Sequence, residues 1–227
     1  MNTFGTLTGA ITNDANLTGT APRFLDEAVK RYFLASTSAC VNAGAAMHAD
    51  VVASSNAPVR HYMPHQLHVP RPNYQAWDIG AYEYSALEAW RSQNFTTNAW
   101  DPLIGGNNAD PNGNAVPNLL EYAFYGDPVD PGQPTKPIGF ILRTNSQSHF
   151  AIHFWRQIPP AAIRYTVQAS ADLNTWQDGS SFADGGNVLP NSLTTATTNP
   201  TNRETIVRLN QTLSAATQRF LRVRVQE

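Results

Sequence analysis

The stretch Asp110-Pro-Asn-Gly-Asn-Ala-Val-Pro-Asn-Leu-Leu-Glu121 carries oxygen-bearing side chains at the spacing of a calcium loop. Loop positions 1, 3, 5, 9 and 12 are occupied by Asp110, Asn112, Asn114, Asn118 and Glu121, and position 7 offers the backbone carbonyl of Val116. Calcium takes six or more oxygen ligands, which such a loop supplies from alternating side chains, one carbonyl and a final bidentate carboxylate. The sequence therefore predicts a calcium site here.

Two features of the loop predict weak binding. Ala115 stands at the sharp turn where glycine is favoured, and a left-handed conformation costs a non-glycine residue roughly 1 kcal/mol. Only Asp110 and Glu121 are charged, and fewer charged ligands lower the affinity for calcium. The alternative interpretation is a turn rich in Asn, Gly and Pro that leads into a helix without binding an ion.

Helical patterns lie on both sides of the loop. Before it, Ser85-Ala-Leu-Glu88 has the spacing of a capping box, in which the serine and glutamate side chains satisfy N–H groups at a helix start. After it, Pro117 is well placed at a helix start, and the apolar run from Leu119 to Phe124 ends before Gly126. Residues 85–136 are therefore predicted to form an EF-hand-like linker of helix, loop and helix.

Strand-like patterns dominate the C-terminal part of the chain. The candidate strands are Ile138–Arg143, His149–Trp155, Arg164–Ala169, Thr205–Leu209 and Gln218–Val225. The first two flank a short polar turn, which predicts a hairpin. Several short antiparallel candidates favour a β-sandwich over residues 137–227.

Two of these regions resemble known modules of secreted bacterial proteins. The loop resembles the linker DPDGDGxPNLLEYAxGxDP, although Asn112, Asn114 and Ala115 replace acidic residues and a glycine of that pattern. Tyr165–Trp176 and Arg219–Val225 resemble the fibronectin-III-like module that commonly follows this linker. The resemblance implies calcium binding by the linker and an antiparallel sandwich after it.

The N-terminal part resembles the closing segment of secreted right-handed parallel β-helix proteins of the pectate-lyase-like class. Asp78-Ile-Gly-Ala-Tyr-Glu83 matches their terminal motif letter for letter, and Asn16–Asp26 and Tyr32–Gly44 match more loosely. The resemblance implies that residues 1–84 are about two final rungs and a cap, fewer than the roughly three units that a solenoid needs. We therefore expect loops and a few strands packed against the linker helices, either in the C-terminal piece of a longer protein or in a reused segment.

The expected fold is thus mainly β: an irregular β-helix-terminal segment, a short helical linker and a C-terminal sandwich. A net charge of −2 predicts no steering towards nucleic acid, and no apolar run approaches the length of a membrane span. The N-terminus lacks the features of a secretory signal. Either the protein stays in the cytoplasm or Met1 is an internal start in a longer secreted chain, and the resemblance implies an extracellular or cell-surface location.

Motifs of common enzyme classes are missing from the sequence: there is no G-x-S-x-G, P-loop, H-E-x-x-H or dinucleotide fingerprint. The carboxylate pairs Asp78 with Glu83 and Asp172 with Asp178 have no context that places them across a cleft, as glycoside hydrolysis requires. No catalytic residue is therefore assigned.

Aromatic residues offer a candidate platform for sugar rings, which stack on flat side chains. The candidates are Trp155, Trp176, Tyr165 and Tyr74. The alternative for Trp176 is the core tryptophan of the sandwich. The expected function is a non-catalytic accessory region, structural or binding a polysaccharide or cell-surface glycan, of an extracellular polysaccharide-active protein. The alternative is a small polysaccharide lyase or glycoside hydrolase with a site between the two parts.

Overall fold

The structure is a computed structural model that describes residues 22–28, 30–63, 67–71, 76–132, 136–157, 162–182, 188–189, 191–199, 203–218 and 220–227. The fold is mainly β, with antiparallel sheets and few helices. The chain divides into two compact units, Met1–Tyr84 and Ser85–Glu227. Within the described ranges, no helix has the length and apolar character needed to cross a membrane.

The described residues of the first unit form two separate two-stranded sheets. Strand β1 (Phe24–Asp26) pairs with β2 (Arg31–Leu34), and β3 (Arg60–Met63) pairs with β4 (Leu67–Pro70). A short helix, α1 (Ala49–Ala53), lies between them in the chain. Both pairs are antiparallel, so the described part of this unit has none of the parallel pairing that stacked β-helix rungs require. Its packing against the linker helices stays a prediction.

The Asp78–Glu83 motif of the first unit is folded back on itself. Both oxygens of Asp78 accept backbone hydrogen bonds, from Asn42 N at 2.6 Å and from Tyr84 N at 2.5 Å. Asp78 N in turn donates to the Glu83 carboxylate, which also accepts from Arg71 Nε at 2.6 Å. Both carboxylates are buried in these contacts, so they hold the end of this unit together.

The second unit begins with the linker helices. Helix α2 (Ala86–Phe95) is followed by a short 3-10 turn (Thr96–Asn98), and α3 (Asn118–Phe124) begins inside the candidate loop. Ser85 Oγ accepts a hydrogen bond from Glu88 N at 3.3 Å, which confirms the serine half of the predicted capping box. The Glu88 carboxylate pairs with Arg91, one turn further along α2.

Two four-stranded antiparallel sheets form the rest of the second unit, and the predicted β-sandwich is confirmed. One sheet has the order β10-β11-β6-β5 and the other β12-β7-β8-β9. The strands are β5 (Ile138–Thr144), β6 (Gln147–Trp155), β7 (Arg164–Ser170), β8 (Gln177–Phe182), β9 (Val188–Leu189), β10 (Thr194–Thr198), β11 (Glu204–Leu209) and β12 (Phe220–Gln226). The predicted hairpin is β5 and β6.

The core of the sandwich includes the linker. Buried residues from both sheets, among them Phe154, Tyr165 and Val207, form one cluster with Leu87 of α2 and with Tyr122, Ala123 and Phe124 of α3. The linker and the sandwich therefore share one hydrophobic core. Helix α3 is fixed on the sandwich on one side and carries part of the candidate calcium loop on the other.

Candidate functional site

The candidate loop turns tightly around Asp110. Ala115 has a φ of 63°, so it adopts the left-handed conformation predicted for the sharp turn, and Gly113 has a φ of 71°. The backbone N–H groups of Asn114 and Ala115 donate to the two carboxylate oxygens of Asp110 at 3.2 and 2.9 Å. These bonds hold the Asp110 side chain within the turn.

Asn112 ties the loop to the segment that follows α3. Its Oδ1 accepts from Asn114 N at 3.1 Å, while its Nδ2 donates to the carbonyl oxygens of Asp127 at 2.8 Å and Asp130 at 2.9 Å. An aspartate could not donate either of the last two bonds. These two bonds explain why position 112 is an asparagine, where the linker pattern has an aspartate.

Asn114 connects the middle of the loop to its last residue. Its Oδ1 accepts from Val116 N at 2.8 Å, and its Nδ2 donates to Glu121 Oε1 at 2.7 Å. The predicted ligands at loop positions 5 and 12 are therefore neighbours. A cation between them requires the Asn114 amide to turn so that Oδ1 faces Glu121.

Two buried oxygens on α3 lack hydrogen-bond donors. Asn118 and Glu121 are each 1% exposed, and neither Asn118 Oδ1 nor Glu121 Oε2 has a partner. Asn118 Nδ2 donates to the carbonyls of Ile104 at 2.7 Å and Gly106 at 3.0 Å, which fixes the orientation of the amide. Residues three apart lie on the same helix face. Leaving a buried acceptor without a donor costs about 1–3 kcal/mol, so this face of α3 is short of positive charge.

Gly126 makes room for the Glu121 carboxylate. A β-carbon at position 126 would overlap with Glu121 Oε2. The residue in the left-handed position after α3 is Tyr125, with a φ of 59°, and Gly126 N then donates to Glu121 O at 2.8 Å. The sequence indicated Gly126 only as a helix terminator, and the glycine of the linker pattern, four residues after the last ligand, falls at Tyr125.

The donor set suits a hard cation. All the predicted ligand atoms are oxygens, and the loop contains no sulfur or imidazole group, which favours calcium over zinc or copper. Among the described residues, no group of three or more His, Cys, Asp or Glu side chains could hold a metal. An ion in this loop therefore relies on amide and carbonyl oxygens, including that of the buried Val116, in addition to Asp110 and Glu121.

The predicted aromatic platform does not form one surface. Trp155 ends β6 in one sheet and is 39% exposed, whereas Trp176 precedes β8 in the other sheet. Trp176 Nε1 donates to Leu173 O at 3.0 Å, and the Arg222 guanidinium covers the indole ring at 3.9 Å from its centroid. Trp176 is only partly buried and lies outside the core cluster, so it is not the core tryptophan of the sandwich.

The assignment of Tyr165 to the platform is wrong. Tyr165 is 1% exposed, and its hydroxyl donates to Ala123 O at 2.8 Å and accepts from Gln157 N at 2.9 Å. It is a core residue that joins β7 to α3, and it offers no face to a sugar. Tyr74 lies outside the described residues.

Trp155 has polar neighbours on its own sheet. The His153 ring meets the indole edge-on with 4.5 Å between ring centroids. His153 Nε2 lies 3.0 Å from Glu204 Oε1, and Glu204 is the strand partner of Trp155 in β11. An exposed indole beside an imidazole and a carboxylate combines a stacking surface with hydrogen-bonding groups.

The carboxylate pairs considered for hydrolysis are engaged locally. Asp172 accepts from the backbone N–H groups of Thr175 at 2.8 Å and Asn174 at 2.9 Å, and these bonds hold its pKa below its usual range. Asp178 accepts from Gln168 Nε2 at 2.6 Å. In the first unit, burial raises the pKa of Glu83 despite its bond to Arg71. Each group stabilises its own turn or strand.

A comparison with protein-family models, with curated proteins and with solved structures found no match to this chain.

Proposed function

We propose that this chain is a non-catalytic accessory region, structural or carbohydrate-binding, of an extracellular polysaccharide-active protein, in which a calcium ion orders the Asp110–Glu121 loop. The observation that carries the proposal is the pair of buried oxygens without donors, Asn118 Oδ1 and Glu121 Oε2. A cation bound in the loop would supply the positive partner that these oxygens lack, whereas a turn without an ion leaves them unpaired.

The ligands come from side-chain oxygens of the loop and one carbonyl. They are Asp110, Asn112 Oδ1, Asn114 Oδ1, the Val116 carbonyl, Asn118 Oδ1 and the Glu121 carboxylate. Because only two of them are charged, we expect a dissociation constant on the order of 10⁻⁴ to 10⁻³ M, the range of extracellular calcium modules. Such a site fills at millimolar calcium, which fits the extracellular setting implied by the linker resemblance.

Bound calcium has a structural role through α3. Glu121 faces the loop, while the next residues, Tyr122, Ala123 and Phe124, belong to the core shared with the sandwich. Ion binding at Glu121 therefore stabilises the same helix that closes the core. The proposed result is a rigid connection between the linker and the sandwich.

Thermal unfolding in calcium tests this role. Binding stabilises the folded state by RT ln(1 + [L]/Kd), about 2.7 kcal/mol at a hundredfold excess over Kd. Millimolar calcium should raise the melting temperature of the unmodified protein, and equal magnesium should raise it much less. Glu121→Gln should remove most of the rise, whereas Asp172→Asn, an exposed acid outside the loop, should keep it. A rise of equal size in Glu121→Gln contradicts the proposed site.

The carbohydrate-binding form of the proposal is supported by Trp155. Its indole is exposed, and His153 and Glu204 supply polar groups beside it. Affinity electrophoresis in gels that contain plant or algal polysaccharides should show retardation of the unmodified protein. Trp155→Ala should abolish the retardation, and Trp176→Ala, whose ring Arg222 covers, should retain it. Absence of retardation on every polysaccharide rejects the carbohydrate-binding form and leaves the structural one.

A further inference from the structure

Arg156 is a buried cation at one end of the sandwich. It directly follows β6 and is 8% exposed, and its guanidinium lies over the Phe182 ring at 5.0 Å from the centroid. Its Nε is buried without a hydrogen-bond partner. Burial of a guanidinium is unfavourable unless an anion accompanies it. In the part of the chain that the structure describes, no carboxylate forms an ion pair with Arg156.

A second arginine lies next to it. Arg156 N donates to Arg203 O at 3.2 Å, so the two backbones are in contact where β6 ends and β11 begins. Arg203 Nη1 donates to the Tyr125 hydroxyl at 2.5 Å, and that hydroxyl donates to Arg156 O at 3.2 Å. Tyr125 thus links the Arg203 side chain to the backbone of Arg156, and its ring also lies under the Arg203 guanidinium, 5.2 Å from the centroid.

The surroundings of Tyr125 are positively charged. Burial raises the pKa of the Tyr125 hydroxyl, and the charges of Arg203 and Arg156 both oppose that rise. Burial likewise lowers the pKa of Arg156, and the groups that act against this are the two tyrosine hydroxyls of Tyr165 and Tyr125. Among the described residues, no carboxylate forms an ion pair with Arg156 or with Arg203.

We propose that Arg156, Arg203 and Tyr125 form a binding site for an oxyanion: a carboxylate, sulfate or phosphate group. Guanidinium groups bind such anions through charge-assisted hydrogen bonds, and the unpartnered Nε of Arg156 provides a donor that the protein itself leaves free. The site would bind the acidic group of a larger ligand or a free anion.

An NMR and thermal-shift titration tests the site. Sodium sulfate, phosphate, acetate and glucuronate are added at low millimolar concentration, with sodium chloride at matched ionic strength as the reference. Sulfate and phosphate stabilise many proteins by exclusion from their surface, so only a saturable response counts as binding. We expect a saturable response to at least one anion, with shifts at the Arg156 and Arg203 side chains. A larger response to glucuronate than to acetate indicates that the ligand is a sugar acid. A larger response to phosphate than to acetate indicates that the site prefers a tetrahedral oxyanion to a planar carboxylate.

The variants separate this site from general charge effects. Arg203→Gln and Arg156→Gln should each weaken the saturable response about tenfold, the loss expected for a charged hydrogen-bond partner. Arg143→Gln, an exposed arginine on β5, should leave it unchanged. If Arg156→Gln does not fold, the test rests on Arg203→Gln, because Arg203 is exposed and its substitution should not affect folding. No saturable response in the unmodified protein, or an unchanged response in Arg203→Gln, overturns the proposal.

A further variant tests for a counter-ion within the chain. Asp184 lies outside the described residues and follows Phe182, the ring that Arg156 covers. If Arg156 takes an external anion, Asp184→Asn should bind that anion as the unmodified protein does. If Asp184→Asn creates anion binding that the unmodified protein lacks, Asp184 is the partner of Arg156 and the proposal is wrong.

Discussion

The α-carbon of Gly126 packs against the carboxylate of Glu121 so closely that a β-carbon at position 126 would overlap with Glu121 Oε2. Glu121 is fully buried, and its Oε1 accepts a hydrogen bond from Asn114 of the candidate loop. The requirement for glycine at position 126 therefore follows from the position of a single carboxylate of the candidate loop.

The first prediction concerns this contact. Gly126→Ala should destabilise the protein by about 1–3 kcal/mol, because the added methyl group forces the Glu121 side chain or the chain after α3 to move. Gly139→Ala is the matched control, since the nearest atom to its β-carbon is 4.0 Å away. Urea unfolding measures both. Equal stability of the two variants would show that Glu121 is not confined as described.

The second prediction concerns the amide of Asn112. In EDTA, Asn112→Asp should lower the free energy of unfolding by about 1 kcal/mol, because the carbonyls of Asp127 and Asp130 lose their donor. In calcium, the added charge should enlarge the stabilisation by the ion. Asn108→Asp, in an exposed turn before the loop, should show neither effect. A variant as stable as the unmodified protein in EDTA contradicts the role given to this amide.

The third prediction concerns the joint between the linker and the sandwich. Tyr165→Phe leaves Ala123 O and Gln157 N without the buried hydroxyl that serves both, which should cost about 1–3 kcal/mol. Tyr32→Phe removes a hydroxyl from an exposed tyrosine and should cost much less. Thermal unfolding of the two variants side by side measures the difference, and losses of equal size would argue against a shared core.

The fourth prediction concerns acid. The bonds from Thr175 N and Asn174 N hold the pKa of Asp172 low in the folded state, so this carboxylate stabilises the fold above the unfolded pKa of about 3.9. That contribution is lost as the pH falls through the lower, folded-state pKa. Asp172→Asn should therefore flatten the acid side of the stability curve. Carbon-13 NMR of the unmodified protein should show Asp172 titrating below the value of an unfolded chain, and titration above it would contradict this assignment.

Local patterns predicted much of the sandwich. Strands β7 and β12 follow from alternation with a period of two, which a sequence displays directly. In β12, Leu221, Val223 and Val225 are partly buried whereas Arg222 and Arg224 are exposed, as the pattern indicates. The hairpin of β5 and β6 follows in the same way from two strand patterns around a polar turn.

Contacts between distant segments were beyond such patterns. Tyr165 alternates with core residues, but its role as the partner of Ala123 depends on α3 packing across β7, which no local period encodes. In the sequence, Asn112 indicates only a calcium ligand without a charge. The fold shows that its amide also donates to the carbonyls of Asp127 and Asp130. The sequence places Arg156 only at the end of a predicted strand, and the burial of its side chain is visible only in the fold.

The most direct test of the central claim is a calcium titration followed by NMR of the backbone and side-chain amides. We expect the amides of Gly113 and Ala115 and the side-chain amide of Asn118 to shift together and saturate with one dissociation constant, on the order of 10⁻⁴ to 10⁻³ M. Glu121→Gln should abolish these shifts, while Asp172→Asn should preserve them. If the loop amides of the unmodified protein do not move at calcium concentrations of about 10 mM, well above that range, the stretch from Asp110 to Glu121 is a turn and the claim of a calcium site is wrong.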